Sequence, residues 1–106
     1  AEPREVAERT VRALRAAVPD RLAGVVFLSG GQSSVEATAN LDAMAKMEPL
    51  PWPITFSFSR ALQGPSLQAW LGSSDNVPEA QAALINRLSL AVAADAGAYS
   101  KEMENI

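Results

Sequence analysis

The chain has 106 residues, of which 48% are apolar, with a formal net charge of −3 and neither cysteine nor histidine. This composition predicts one globular domain or part of one, excludes disulfide and thiolate chemistry, and removes the usual ligands of zinc, so we expect no metal. The acidic balance argues against nucleic acid as a partner, and no apolar stretch approaches the roughly 20 residues of a membrane span, so we expect no membrane partner and a cytoplasmic location.

The first predicted element is a helix that starts at Pro3, a residue suited to the first turn. Apolar residues recur every three or four positions from Ala7 to Val18, which predicts one buried face and an end near Pro19. The charged residues lie largely off that face. We therefore expect them to form a solvated surface with local ion pairs.

The central feature of the sequence is the apolar run of residues 25–28, which leads directly into Ser29, Gly30 and Gly31. Such a run predicts a strand buried on both faces, as in a parallel sheet covered by helices. Its polar end is then a carboxyl end, where α/β sheets bind ligands. Because glycine allows a tight turn and a close approach to a ligand, this stretch predicts an anion site.

A second helix and strand follow. Ser33 and Glu36 have the spacing of a capping box, which predicts a helix from there to about Lys46. Three prolines at alternate positions then lead to a second strand over residues 54–58, which ends near Arg60. About thirty residues separate the two strand ends, the length of one β-α-β unit, so both ends are expected on the same rim.

The last third of the chain predicts two helices and a tail. A helical segment begins at Arg60 and is interrupted or restarted at Pro65. A longer helix begins at Asn76, paired with Glu79 three residues on, and ends near Ala96. The remaining residues resemble a mobile tail.

The predicted fold class is α/β with only two parallel strands. Two strands do not make a stable sheet alone, and each would leave an unpaired edge. The sequence therefore predicts part of a larger structure, with residues 1–97 as the α/β segment and residues 98–106 as a C-terminal tail.

Several blocks of the sequence resemble class I fructose-bisphosphate aldolase. They are TVRALR (10–15), VFLSGGQS (26–33), EATANL (36–41), PW (51–52), TFSFSRALQ (55–63), LQAW (67–70) and residues 76–87. The leucine-serine-glycine-glycine-glutamine block, followed at this spacing by arginine-alanine-leucine-glutamine, is highly specific to that family. The resemblance implies the C-terminal part of a TIM (β/α)8 barrel, comprising its last two strands and the helices around them.

The resemblance also implies an activity. Class I aldolases cleave fructose 1,6-bisphosphate reversibly to dihydroxyacetone phosphate and glyceraldehyde 3-phosphate, in glycolysis and gluconeogenesis, through a Schiff base on a lysine and without a cofactor. The implied partners are a sugar bisphosphate substrate, the remainder of the barrel and further copies of the enzyme, commonly as a tetramer.

The residues matched to the family's phosphate site lie at the two strand ends. The resemblance implies that backbone N–H groups of the glycine turn and the guanidinium of an arginine hold a substrate phosphate. One position departs from the family, which usually has glycine before that arginine, so a serine side chain changes the approach or donates a further hydrogen bond. The implied phosphate-binding residues are Leu28, Ser29, Gly30, Gly31, Ser59 and Arg60.

None of the residues present matches the family's Schiff-base lysine. Lys46 falls at a helix end and Lys101 in the tail, whereas the chemistry needs an interior strand position where the pKa of the amine is lowered. We therefore expect no catalytic residue in this chain and no activity from it alone. The family's functional C-terminal tyrosine has no match at the end of this sequence, and no role is assigned to Tyr99.

Two other interpretations of the sequence stay open. The first is a stand-alone, non-enzymatic α/β module that binds a phosphorylated metabolite, which would explain phosphate-binding residues without the lysine. The second is a helical interaction domain, which leaves the glycine turn and Arg60 without a purpose. The mass of the natural gene product distinguishes a module from part of an aldolase.

Overall fold

The computed structural model describes residues 1–47 and 49–105. The helices are α1 (Pro3–Ala17), α2 (Ser34–Ala45), α3 (Arg60–Trp70) and α4 (Val77–Asp95), and the strands are β1 (Val25–Phe27) and β2 (Ile54–Phe56). Short 3-10 helices occupy Ser74–Asn76 and Lys101–Asn105. The order and type of the main elements are as the sequence predicts.

Helix α1 forms because its apolar residues share one face. Ala7 and Val11 are buried on that face, and the opposite side carries ion pairs of exposed side chains, including Arg4 Nε to Glu8 Oε1 at 3.0 Å. The helix gives way to extended backbone at Val18, the residue before Pro19, since a following proline disfavours helical backbone. The expected solvated surface is thereby confirmed.

The capping box at the start of α2 is confirmed. The Ser33 hydroxyl accepts from the backbone N–H of Glu36 at 3.1 Å, and the backbone N–H of Ser33 donates to Glu36 Oε1 at 3.1 Å. Two N–H groups that the helix itself leaves unpaired are thus satisfied, which fixes where α2 begins.

The two strands pair in parallel, as predicted, with Val25 opposite Ile54 and Phe27 opposite Phe56. These four residues pack against a core that includes α1, α2 and α4. The opposite face of the sheet is open, and Val26 on it is 57% exposed. The prediction that β1 is buried on both faces is therefore wrong for this chain, because the helices cover one face only.

Both strands are also shorter than predicted. The sequence places Leu28 and Phe58 inside strands, but β1 ends at Phe27 and β2 at Phe56. Leu28 is 70% exposed, whereas the aromatic ring of Phe58 packs against that of Phe56 with centroids 5.2 Å apart. Leu28 and Phe58 are thus apolar residues that lie outside the paired strands. A hydrophobic pattern alone does not distinguish such residues from residues within a strand.

Helix α3 differs from the prediction because it runs unbroken through Pro65. A proline in a helix loses the hydrogen bond to the residue four before it, and its ring crowds the residue before it. That preceding residue is Gly64, which has no Cβ to crowd. Packing of α3 on α4 offsets the remaining cost, and the helix ends at Leu71 in a left-handed conformation with φ 53°.

The predicted cap of α4 is also wrong. The Asn76 side chain makes no cap hydrogen bond and instead donates from Nδ2 to the carbonyl oxygen of Trp70 at 3.1 Å. Pro78 occupies the first turn of α4 and has no N–H for a cap to bind. A 3-10 turn carries the chain into the helix in its place.

The residues after α4 pack against the helices and differ from the expected mobile tail. Tyr99 is 4% exposed and belongs to the core, and its backbone N–H donates to Asp42 Oδ1 at 3.1 Å. Glu104 forms an ion pair with Arg87, which is 5% exposed on α4. A buried guanidinium requires a carboxylate partner, and residues 98–105 supply it.

Candidate anion site at the carboxyl edge

The strand ends meet at one edge of the sheet. The backbone N–H of Ser57 donates to the carbonyl oxygen of Phe27 at 2.8 Å, which aligns the last residues of the two strands. We call the region where residues 28–31 and 57–60 leave the strands the carboxyl edge. It contains every residue of the predicted phosphate set, as the sequence implies for parallel neighbours.

The glycine turn forms one side of the carboxyl edge. Gly30 and Gly31 have φ of 58° and 85°, a region that residues with a Cβ avoid, and the N–H of Gln32 closes the turn by donating to the Ser29 carbonyl at 3.0 Å. A Cβ added at either glycine would meet no atom within 4 Å. The need for glycine is therefore conformational, and the turn faces open space.

The backbone donors of this turn are available to a ligand. The N–H groups of Gly30 and Gly31 find no acceptor among residues 1–47 and 49–105, and both glycines are exposed. Ser29, which precedes them in the turn, is 6% exposed. Consecutive N–H groups in a turn that includes left-handed residues form a concave anion-binding arrangement.

Arg60 and Ser59 form the other side of the carboxyl edge. Arg60 is the first residue of α3 and is exposed, and its guanidinium makes no hydrogen bond or ion pair with the part of the chain that the structure describes. Ser59 is the N-cap residue, yet its side chain makes no cap hydrogen bond. Its hydroxyl therefore has no role in starting the helix.

Two helix N-termini face the carboxyl edge, and they differ in charge. In α2 the first turn holds Glu36, whose pKa is lowered chiefly by the hydrogen bond from the backbone N–H of Ser33, so the carboxylate is ionised near neutral pH. In α3 the first turn holds Arg60 and no acidic residue. An anion is therefore favoured at α3, where the helix dipole and the guanidinium act together.

The structure aligns the two halves of the predicted set but records no contact between them. Leu28, Gln32 and Phe58 are among the residues that line a cavity of about 340 Å³ beside the edge. Sequence reasoning missed Gln32, whose side chain donates to the Ser29 carbonyl of the turn, and Asn40, whose side chain donates to that of Gln32. The only available signal was the amide next to the two glycines.

Both lysines lie away from the strands. Lys46 caps the end of α2, where Nζ is 2.7 Å from Asp42 Oδ2 and 3.2 Å from the carbonyl oxygen of Tyr99. Lys101 begins the C-terminal 3-10 helix.

Among the described residues there is no cluster of three or more acidic side chains that could hold a metal, and no helix long and apolar enough to cross a membrane.

Comparison with known families gives a match over the whole chain. Residues 1–106 match the glycolytic family described as "Fructose-bisphosphate aldolase class-I". The cytosolic fructose-bisphosphate aldolase 5 of Arabidopsis thaliana is 56% identical over 86 residues, which is 80% of this chain and 24% of that protein. The chloroplastic fructose-bisphosphate aldolase 1 of Chlamydomonas reinhardtii is 46% identical over 104 residues, or 98% and 27%.

A solved structure gives the same result. Fructose-bisphosphate aldolase from Plasmodium falciparum, in a ternary co-crystal structure with TRAP and a small molecule inhibitor, superposes with a TM-score of 0.90 at 44% identity. The match covers 94% of this chain and 29% of that one. The chain thus spans about a quarter of the length of the relatives it matches.

Proposed function

Because the chain belongs to the class I fructose-bisphosphate aldolase family, we propose that its carboxyl edge binds a phosphate group of fructose 1,6-bisphosphate. The fold is the C-terminal part of a TIM barrel, with two parallel strands and their flanking helices. The observation that carries the proposal is the alignment of the two strand ends by the Ser57 to Phe27 hydrogen bond. It brings an open glycine turn and an exposed arginine to the same edge.

The proposed binding uses three kinds of donor. The N–H groups of Gly30 and Gly31 point at phosphate oxygens, with Ser29 and the backbone at Leu28 completing the turn. The planar guanidinium of Arg60 binds two further oxygens at once. The positive end of α3 adds to the attraction.

Ser59 enters the same site from the start of α3. Its hydroxyl makes no cap hydrogen bond, and the residue is exposed. We therefore assign the hydroxyl a hydrogen bond to a phosphate oxygen. Other members of the family usually have glycine here, whose backbone can approach the phosphate directly. The proposed phosphate set is then the one implied by the resemblance.

The role of phosphate binding is to hold the sugar in place. A phosphate fixed at the rim positions the carbon chain against the reacting lysine. The reaction between sugar and lysine then becomes effectively unimolecular, with the reacting groups already oriented. We assign the lysine and the acid-base groups of the reversible Schiff-base cleavage to strands outside this chain. Residues 1–106 alone are accordingly inactive, and their partners are the sugar bisphosphate and the remainder of the barrel.

The open face of the sheet supports that assignment. Val26 exposes an apolar side chain there, at 57%, the apolar Leu28 just after β1 is 70% exposed, and each strand has one unpaired edge in a sheet of two strands. Neighbouring strands of a barrel pair such edges and fill such a face with side chains. The proposal places the full activity in the cytoplasm, as in the cytosolic relative, and in a homo-oligomer.

Replacing Arg60 tests the proposal. In the polypeptide that carries these residues within a complete barrel, we expect Arg60→Ala to raise KM for fructose 1,6-bisphosphate about ten- to a hundredfold, because a charge-assisted hydrogen bond is lost. Arg21→Ala is the matched control, since Arg21 is an exposed arginine that precedes β1 at the opposite end of the strand. An Arg60→Ala enzyme with the KM of wild type refutes the phosphate assignment.

A further inference from the structure

The side chain of Gln32 joins the glycine turn to helix α2. Its Nε2 donates to the carbonyl oxygen of Ser29 at 2.6 Å, and its Oε1 accepts from Asn40 Nδ2 at 2.6 Å. Gln32 and Asn40 are both half-buried. The three groups form a continuous chain of hydrogen bonds from the second turn of α2 into the turn at the carboxyl edge.

The donors and acceptors in this chain can be arranged in one way only. The Ser29 carbonyl accepts and cannot donate, so the NH2 end of the Gln32 amide must face it. The oxygen end of that amide then faces Asn40, which must offer its own NH2 group. Each amide therefore fixes the orientation of the next, and an apolar side chain at either position breaks the chain.

The glycine turn needs such a restraint. Glycine loses more conformational freedom on ordering than any other residue, and Gly30 and Gly31 are consecutive. A Cβ at either would meet no atom of the described residues within 4 Å, so packing on that side of the glycines does not hold the turn. Both hydrogen bonds received by the Ser29 carbonyl, at 3.0 and 2.6 Å, come from Gln32.

We infer that Gln32 and Asn40 are positioning residues that hold the Ser29–Gly31 turn in its anion-binding shape. The inference rests on the proposed function, because it assigns these amides a role in phosphate binding without contact with the phosphate. A turn that is already ordered pays less conformational entropy when the ligand binds. Gln32 acts on the turn through the Ser29 carbonyl, and Asn40 acts through Gln32.

The test uses two neutral replacements of similar size, Gln32→Met and Asn40→Leu, in the polypeptide that carries these residues within a complete barrel. We expect each to raise KM for fructose 1,6-bisphosphate about three- to tenfold with kcat changed by less than about twofold, since a net hydrogen bond is worth that much. The double variant should be no worse than Gln32→Met alone, because both changes break one chain. Gln68→Met and Asn86→Leu, at exposed helical positions, are the matched controls.

A second measurement separates this inference from the proposed function. Without ligand, amide hydrogen exchange at the backbone N–H of residue 32, which donates to the Ser29 carbonyl and closes the turn, should accelerate in Gln32→Met and Asn40→Leu but not in the controls, while exchange in the core of α4 stays unchanged. Accelerated exchange in a protein whose wild type fails to bind inorganic phosphate supports the positioning role and refutes the proposed function. If both variants keep the KM and the amide exchange rates of wild type, the positioning role is refuted and the proposed function stays intact.

Discussion

At the residue scale, the backbone conformation decides which side chains a position accepts. Leu71 has φ 53°, in the left-handed region, and its side chain is 79% exposed at the end of α3. Leucine pays a steric cost there that glycine avoids, and glycine is the residue most often found where a helix ends in this way. The backbone at Leu71 is therefore strained, and because the side chain is exposed, its burial contributes little free energy to offset that strain.

Leu71→Gly is expected to stabilise the protein. Relief of the left-handed strain outweighs the greater freedom of glycine in the unfolded chain, for a net gain of about 0.5–1 kcal/mol in the free energy of unfolding. Leu67→Gly is the control, since Leu67 is 56% exposed inside the same helix and its replacement should cost about 1 kcal/mol. Urea unfolding of both variants checks the opposite signs, and a destabilised Leu71→Gly protein contradicts the account.

At the scale of elements, one buried arginine docks the C-terminal segment onto the helices. Arg87 donates to Glu104 Oε1 at 2.5 Å, to Thr38 Oγ1 at 2.7 Å and to the carbonyl oxygen of Ser34 at 3.0 Å. Glu104 also accepts from the Tyr99 hydroxyl at 2.7 Å. The C-terminal 3-10 helix, α2 and α4 are thus joined by a single polar cluster.

The ionisation of this cluster follows from burial and from Arg87. Burial raises the pKa of Glu104, but the hydrogen bonds from Arg87 and Tyr99 and the arginine charge outweigh it, so the pKa is lowered. Burial, and then the hydrogen bond to Glu104, raise the pKa of Tyr99 to about 12. The cluster is therefore most stable with Glu104 ionised and Tyr99 neutral.

Glu104→Gln should loosen the C-terminal segment. The amide leaves the Arg87 charge buried without a counter-ion, and we expect a loss of about 2–4 kcal/mol of unfolding free energy with faster amide exchange over residues 99–105. Glu102→Gln is the matched control, being exposed in the same 3-10 helix. Equal stability of the two variants would show that the ion pair does not hold the segment.

The stability should depend on pH at both ends of the range. Because the folded pKa of Glu104 is lowered, its contribution is present above the ordinary glutamate pKa of 4.5 and is lost as the pH falls below it. Because the folded pKa of Tyr99 is raised, its contribution is present below pH 10.0 and is lost as the pH rises towards about 12. Chemical unfolding of wild type and Glu104→Gln across pH measures this dependence. Below pH 4.5 the free energy of unfolding should fall less steeply in Glu104→Gln than in wild type, because the variant lacks the carboxylate that becomes protonated.

At the scale of the whole molecule, the sequence predicts what local chemistry determines. The capping box of Ser33 and Glu36 and the glycine turn rest on residues near one another in the chain, and the parallel pairing of the strands follows from the length of the β-α-β unit between them; the structure has all of these features. Each can be inferred from spacing and side-chain type alone. The resemblance added the fold of which these elements form a part.

The features that the sequence did not predict depend on distant contacts. Helix α3 continues through Pro65 because it packs on α4, and the C-terminal segment is docked because Arg87 finds Glu104. The Gln32 and Asn40 amides meet across eight residues at the carboxyl edge. A hydrophobic pattern or a motif does not report which distant partner a proline, a buried charge or an amide will find.

The most direct test of the central claim is to observe the glycine turn while the ligand binds. Fructose 1,6-bisphosphate is titrated into the isotope-labelled polypeptide that carries these residues within a complete barrel, and the amide resonances of its glycines are followed. We predict saturating shifts at Gly30 and Gly31, absent at Gly64 and Gly97, and abolished or greatly weakened by Arg60→Ala. Saturable binding that leaves Gly30 and Gly31 unshifted contradicts the proposal that the carboxyl edge holds the substrate phosphate.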